Sequence, residues 1–236
     1  MNKNSCAILQ PHYMPWIGYF SMISRVEKFI FLDDVQYIKR EWKNRNKIRK
    51  HSSSSSAKWL SVPITKSTKD NIIKDAKISY EFDWITEHLN SVQETYKKTK
   101  YFDEVFGIFK KILLAKETFL SDLNIKFIKE ICKYLNIKSE FILSSELSTQ
   151  GKKDYKLLNI CKKVNSNFLL ANNSTLKYLK TDIFSENNII VEPQNYNHPN
   201  YEQFFDKKPV VWISNLSVLD LLFNYGAGSK TVILSG

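Results

Sequence analysis

Cysteine is scarce: Cys6, Cys132 and Cys161 are odd in number and widely spaced along 236 residues. That spacing excludes a disulfide framework and a multi-cysteine metal site, and all three sit in apolar patterns, as reduced core cysteines of a cytoplasmic protein do. No apolar run approaches membrane-spanning length. The opening Met-Asn-Lys-Asn is not followed by the apolar segment of a signal peptide, so a soluble cytoplasmic protein is expected. Gly-x-Gly-x-x-Gly, the P-loop, Gly-x-Ser-x-Gly, His-Glu-x-x-His and Cys-x-x-Cys are all missing. Their absence removes the best sequence support for dinucleotide redox, P-loop phosphoryl transfer, a hydrolase elbow and zinc chemistry. There is no internal repeat and no dense basic block. The net charge of +11 favours polyanions on electrostatic grounds, but the lysines are scattered among abundant asparagine and isoleucine, as in the product of an AT-rich genome. Without a basic stripe, nucleic acid is not the expected partner.

What is present is enough for a sizeable core. With 43% hydrophobic and 14% aromatic residues, the chain suits one domain, or one domain with an insertion. Residues 7 to 46 organise it. The apolar run Cys6 to Leu9 reads as a buried strand that Pro11 and Pro15 stop, and Gly18 opens a helical pattern of Phe20, Ile23 and Val26. Phe29 to Leu32 is a second strand, ending in Asp33-Asp34. Strand, loop, helix and strand in this order form the first half of a parallel α/β unit, in which ligands bind at the carboxyl ends of the strands. Both polar clusters fall at that edge. Val35 to Lys50 lacks apolar periodicity and reads as a polar, basic, aromatic loop or irregular extended piece, and long loops beside a sheet edge are often functional. Ser52 to Ser56 reads as a mobile tip and Trp59 to Ile64 as a strand.

From Asp83, a reasonable N-cap, the period turns helical, with Trp84, Ile85, His88, Leu89, Val92 and Tyr96 on one face. His88 reads as a packed core histidine rather than a ligand. Tyr101 to Ala115 and Glu117 to Asn136 follow as helices. The α/β rhythm then resumes with strands at Phe141 to Leu143, Phe168 to Ala171 and Ile189 to Glu192, a helix at Tyr155 to Val164, and a short helix that Ser174 can cap. A loop spans 193–209. The last helix runs from an Asn215 cap to Gly226, with a narrow polar seam of Ser217, Asp220 and Asn224; either the seam faces water, or Asp220 points into a site or bonds buried backbone. The expected fold is α/β, a mainly parallel Rossmann-like sheet flanked by helices. It forms one domain, 1–236, with the core at 1–79 and 137–236 and a helical lobe at 80–136.

Several ordered motifs carry a resemblance over essentially the whole chain. Gln10-Pro11-x-Tyr13-x-Pro15-Trp16-x-Gly18-Tyr19-Phe20, Asp33-Asp34-x-Gln36-Tyr37, Trp42-x-Asn44-Arg45-Asn46, Asn197-His198-Pro199-x-Tyr201 and Ser217 to Asn224 with Gly226 together resemble the WbqC-like family. One departure is Leu170-Ala171-Asn172-Asn173, where a glycine-containing turn is expected. The family is associated with O-antigen and other surface-polysaccharide gene clusters, which implies sugar-nucleotide or polysaccharide modification. A fainter likeness is to nucleotidyltransferase-like α/β proteins. Their His-x-Gly-His histidines are replaced here by Trp16 and Tyr19, so the cleft is expected but adenylyl transfer is not supported.

The candidate catalytic residues are His12, Asp33, Asp34, His198 and Asp220, expected to converge with Tyr13, Lys39, Asn44 and Arg45 on one cleft, because the first loop and the Asp pair lie at one sheet edge and the later residues belong to the other motifs that carry the resemblance. Further substrate contacts are implied for Gln10, Trp16, Tyr19, Gln36, Tyr37, Trp42, Asn46, Tyr201 and Asn224. Each has a plainer reading: His12 is a base or substrate contact, or a ring that packs against its loop; Asp33 and Asp34 hold a metal or an amine, or form a turn. No residue is assigned as a metal ligand, and no cofactor or oligomeric state is read from the sequence. The expected function is a transferase passing an acyl or aminoacyl group to a UDP- or dTDP-amino sugar in surface-polysaccharide synthesis. The alternative is a non-catalytic binder of a nucleotide sugar or nucleic acid.

Overall fold

The computed structural model describes residues 4–39, 41–66, 72–204 and 210–236. Arg40 and residues 205–209, which belong to two of the expected loops, lie outside these. Strand β1 (Ser5–Leu9), helix α1 (Ile17–Ser24) and strand β2 (Lys28–Phe31) open the chain. The crossover that follows contains a two-stranded hairpin, β3 (Arg45–Arg49) and β4 (Ala57–Ser61), and three helices, α2 (Trp84–Tyr96), α3 (Phe102–Leu114) and α4 (Leu120–Tyr134). The rest comprises β5 (Glu140–Leu143), α5 (Lys153–Lys163), β6 (Phe168–Ala171), α6 (Asn173–Leu176), α7 (Asp182–Ser185), β7 (Ile190–Pro193), α8 (Val218–Tyr225) and α9 (Ser229–Leu234).

The sheet is parallel, in the order β5-β2-β1-β6-β7. From β1 the chain works outward through β2 to β5, then crosses back to lay β6 on the other side of β1. This reversal makes the carboxyl ends of β1 and β6 the switch point of the sheet, where α/β folds open a crevice for ligands. Alternate residues of the central strands feed two cores. Ala7, Phe29 and Phe31 pack with α1, α4 and α8, while Cys6, Ile8 and Ile30 pack with Leu158 and Cys161 of α5. Burial on both faces explains why these strands read as continuous apolar runs.

Asp83 caps α2 as expected, accepting from the Thr86 amide at 3.1 Å. Three expectations are corrected. Arg45–Arg49 is a strand rather than part of an irregular loop, paired antiparallel with Ala57–Ser61. Its inward positions are Asn46 and Ile48, so a buried polar residue hides the alternation. The cap of α8 is Ser217, whose Oγ accepts from Leu219, whereas Asn215 sits in a turn at φ 56°. Likewise Asn172, not Ser174, caps α6 by accepting from Thr175 at 2.7 Å. Gly226 ends α8 at φ 55°, where a Cβ would meet the Tyr101 ring at 2.5 Å.

Candidate functional site

The loop leaving β1 is fixed from three directions. Asn124 of α4 donates its Nδ2 to the carbonyls of Pro11 at 3.0 Å and Lys43 at 2.7 Å. Asn46 of β3 donates to Tyr13 O at 3.2 Å and Met14 O at 2.7 Å, and the Tyr13 amide donates to Trp42 O at 2.9 Å. At the far end of the loop, the Val218 amide donates to Pro15 O at 2.9 Å and the Ser217 amide to Lys47 O at 2.8 Å. These bonds stitch the first loop, the Trp42–Lys47 segment and the start of α8 into one unit.

Within this unit His12 and Lys43 face each other electrically. His12 is partly buried, its ring centroid 5.3 Å from that of Tyr19. Burial, and then the charge of Lys43, push the imidazole down to about 3, so it is neutral at physiological pH. Lys43 is only 2% exposed and its ammonium pairs with Glu41. Burial lowers it to about 8, which places its titration near working pH. Beside them the Oδ1 of Asn124 is buried with no hydrogen-bond partner. Sequence reasoning did not single out Lys43, because a lysine between Trp42 and Asn44 carries no sign of burial.

Asp33 and Asp34 are bound to the turn after β5. Asp33 accepts from Ser144 Oγ at 3.0 Å, Ser145 N at 2.9 Å and Ser145 Oγ at 2.7 Å. Asp34 accepts from Ser144 Oγ and pairs with Lys156 at 2.7 Å. The two carboxylates thus join the ends of β2 and β5 and commit their oxygens to protein donors. Among the described residues, no three His, Cys, Asp or Glu side chains gather as a metal site requires. Shallow depressions of 330 and 310 Å³ lie along α4, the first beside Asp122 and Leu143, and neither is lined by His12 or Lys43.

The ordered motifs that meet in this unit run from residue 10 to the last helices, and the profile of the WbqC-like protein family matches residues 10–232. The chain belongs to the WbqC-like family. It is similar to the uncharacterized protein Rv1507c of Mycobacterium tuberculosis, 33% identical over 225 residues that make up 94% of each chain. No solved structure matches it. No helix among its described residues is long and apolar enough to cross a membrane.

In this WbqC-like chain the C-terminal motif is turned inward. Asp220 is fully buried and accepts from Tyr96 OH at 2.8 Å and Tyr201 OH at 2.9 Å. Burial raises its pKa, while both tyrosines and Arg49 oppose the shift. Arg49, itself buried, donates to Gln203 Oε1 at 2.5 Å and Val211 O at 3.0 Å, and Asn224 donates to Asp220 O at 2.7 Å. Within the seam Asp220 bonds two buried tyrosines, Ser217 caps the helix and the partly buried Asn224 accepts from Phe204 N at 2.8 Å. His198 stacks on Trp16 at 6.0 Å and meets Trp212 edge-on at 5.4 Å; burial lowers its pKa.

The other candidate site residues divide by burial. Tyr13 is fully buried and bonds His88 Nδ1 at 2.9 Å, Tyr19 donates to Gln10 O at 3.0 Å, and burial raises Tyr37 to about 12. Tyr13 and Tyr19 thus brace the loop through His88 and Gln10, while Tyr37 is packed in the core. Gln36, Lys39 and Trp42 are exposed; Asn44 donates to Val62 O at 3.1 Å. Arg45 lies over the ring of Trp59 at 4.3 Å, a partner that the sequence presents only as a strand residue.

Proposed function

We propose that this protein is a cytoplasmic transferase that passes an acyl or aminoacyl group to the amine of a UDP- or dTDP-amino sugar during O-antigen or other surface-polysaccharide synthesis. The observation that carries this reading is the buried Lys43 beside a neutral His12 at the carboxyl edge of the sheet. An ammonium must lose a proton before its nitrogen can attack a carbonyl, and the best base for that transfer has a pKa near the working pH. Lys43 at about 8 meets this condition, while His12 at about 3 is too weak a base and serves as a hydrogen-bonding partner. Neutral Lys43 Nζ takes the proton from the substrate ammonium. The amine nitrogen then forms the C–N bond to the donor carbonyl, and the leaving group departs with the bonding pair and takes that proton back from Lys43. The regenerated neutral Nζ removes the second nitrogen proton and passes it to solvent, leaving a neutral amide. In this reading His12, Asp34, Lys39, Asn44, Arg45 and His198 border one cleft, with Tyr13, Asp33 and Asp220 as its supports.

The test is incubation with a panel of UDP- and dTDP-amino sugars and activated acyl donors, read by product mass, with Lys43→Met and His12→Ala alongside. A mass increment that needs both an amine and Lys43 supports the transferase. Sugar-nucleotide binding without turnover under any donor overturns it and leaves a binding module.

A further inference from the structure

Over residues 45–48 and 59–61 the β3–β4 hairpin has one face turned to the core and one turned out, whereas Arg49, next on the outer side, is buried against Gln203 and Val211. Asn46, Ile48 and Leu60 face inward and are buried. The register places Lys47 opposite Trp59 and Arg45 opposite Ser61, so Arg45, Lys47 and Trp59 share the outer face. Trp59 is 42% exposed and Trp42, in the turn before β3, is 43% exposed, with ring centroids 5.6 Å apart. Arg45 Cζ lies 4.3 Å and Lys47 Nζ 5.5 Å from the centroid of Trp59. Lys43, Lys58, Lys126 and Lys156 each pair with a carboxylate, but Arg45 and Lys47 form no such ion pair among the described residues. Arg45 Nε and Asn44 Oδ1 are also buried without a hydrogen-bond partner.

We propose that this face is a nucleoside diphosphate subsite, in which the base stacks on Trp42 and Trp59 and the two phosphates lie on Arg45 and Lys47. The two adjacent exposed indoles are tilted 37° to one another, so a planar base can stack on one ring while its edge meets the other. The Arg45 guanidinium rests over the Trp59 ring, a cation–π contact that limits where its fork can lie and can present it to phosphate oxygens. Cations on alternate strand positions stand roughly 7 Å apart, suited to straddling two linked phosphates rather than one. A neutral glycan would cover the rings and leave both cations unpaired. The subsite rests on the proposed function in one respect: the sugar of a bound nucleotide would extend toward Lys43, which follows Trp42 in the same turn.

Titration of the full chain with UDP, uridine and inorganic pyrophosphate, read by calorimetry and tryptophan fluorescence, tests the subsite. UDP is expected to quench the fluorescence and to bind at least about tenfold more weakly to Trp59→Leu and Arg45→Gln. Pyrophosphate binding is expected to weaken in Arg45→Gln and persist in Trp59→Leu, and uridine to bind far more weakly than UDP. Thermal unfolding checks that each variant folds; if either does not, Trp42→Leu and Lys47→Gln take its place. Equal UDP affinity in wild type and folded variants, or tighter binding of an RNA oligonucleotide than of UDP, overturns the proposal. Lys43→Met separates the two claims: it is expected to keep UDP affinity, so a failed transferase leaves the subsite standing. Turnover with unchanged UDP affinity in the face variants would sink the subsite alone.

Discussion

The side chain of Asn46 donates at 2.7 Å to the carbonyl of Met14, a fully buried residue held at φ 42°. A side chain with a Cβ rarely adopts that conformation, and the cost of about 1–3 kcal/mol is sustained by the surrounding bonds. Asn46 thereby sets the path of the loop that carries His12 and Trp16.

Asn46→Ala should destabilise the chain by about 1–3 kcal/mol, because the carbonyls of Tyr13 and Met14 lose a buried donor. Urea unfolding measures the loss. Transfer by the fraction that stays folded should also fall, since the loop is no longer pinned. An unchanged unfolding midpoint would show that the loop holds its shape without Asn46.

Asp220 is the hub of the buried network that joins α2, α8 and the segment around Tyr201. Asp220→Ala leaves two tyrosine hydroxyls without their acceptor and Arg49 without the nearby opposite charge, and the expected loss is about 3–5 kcal/mol. Asp220→Asn keeps one carbonyl oxygen for a tyrosine and should lose less. Denaturant midpoints of the two variants rank them, and the reverse order would contradict the network.

Acid should destabilise the fold through two histidines. His12 and His88 both fall to about 3 because burial disfavours the imidazolium. Between pH 6.5 and 3 the unfolded chain therefore binds protons that the folded chain does not. Stability is full above about 6.5 and declines as pH falls toward 3, by up to about 1.4 kcal/mol per pH unit for each histidine. Urea unfolding from pH 7 to pH 4 checks this; His88→Phe, which also removes the bond from Tyr13, should flatten the slope. Identical slopes in the variant and wild type would rule His88 out as a source.

The central strands were legible because their residues are apolar on both faces, and α2, α3 and α4 because their buried stripes repeat at helical spacing. Strand β3 was not, since Asn46 is polar and yet faces inward, where it bonds the first loop. The burial of Asp220 was half legible: a polar seam on an otherwise apolar helix raised the choice between water and interior, and the position of two tyrosines far away in sequence decided it. Lys43 and Trp59 were invisible as site residues for the same reason. What distinguishes them is the burial of one ammonium and the exposure of one indole, and both come from the packing of the hairpin against the first loop and α4.

The most direct measurement is the pH dependence of amine acylation for wild type and Lys43→Met on whichever sugar nucleotide and donor turn over. With Lys43 as the base, its neutral fraction grows about tenfold per pH unit below about 8, so the wild-type rate should climb with pH and level off above that value. Lys43→Met should lose this rate while unfolding no more readily than wild type, because replacing a buried ammonium by an apolar chain of similar length removes a desolvation cost. A rate that is flat from pH 6 to 9, or a Lys43→Met variant that turns over as wild type does, would contradict the account.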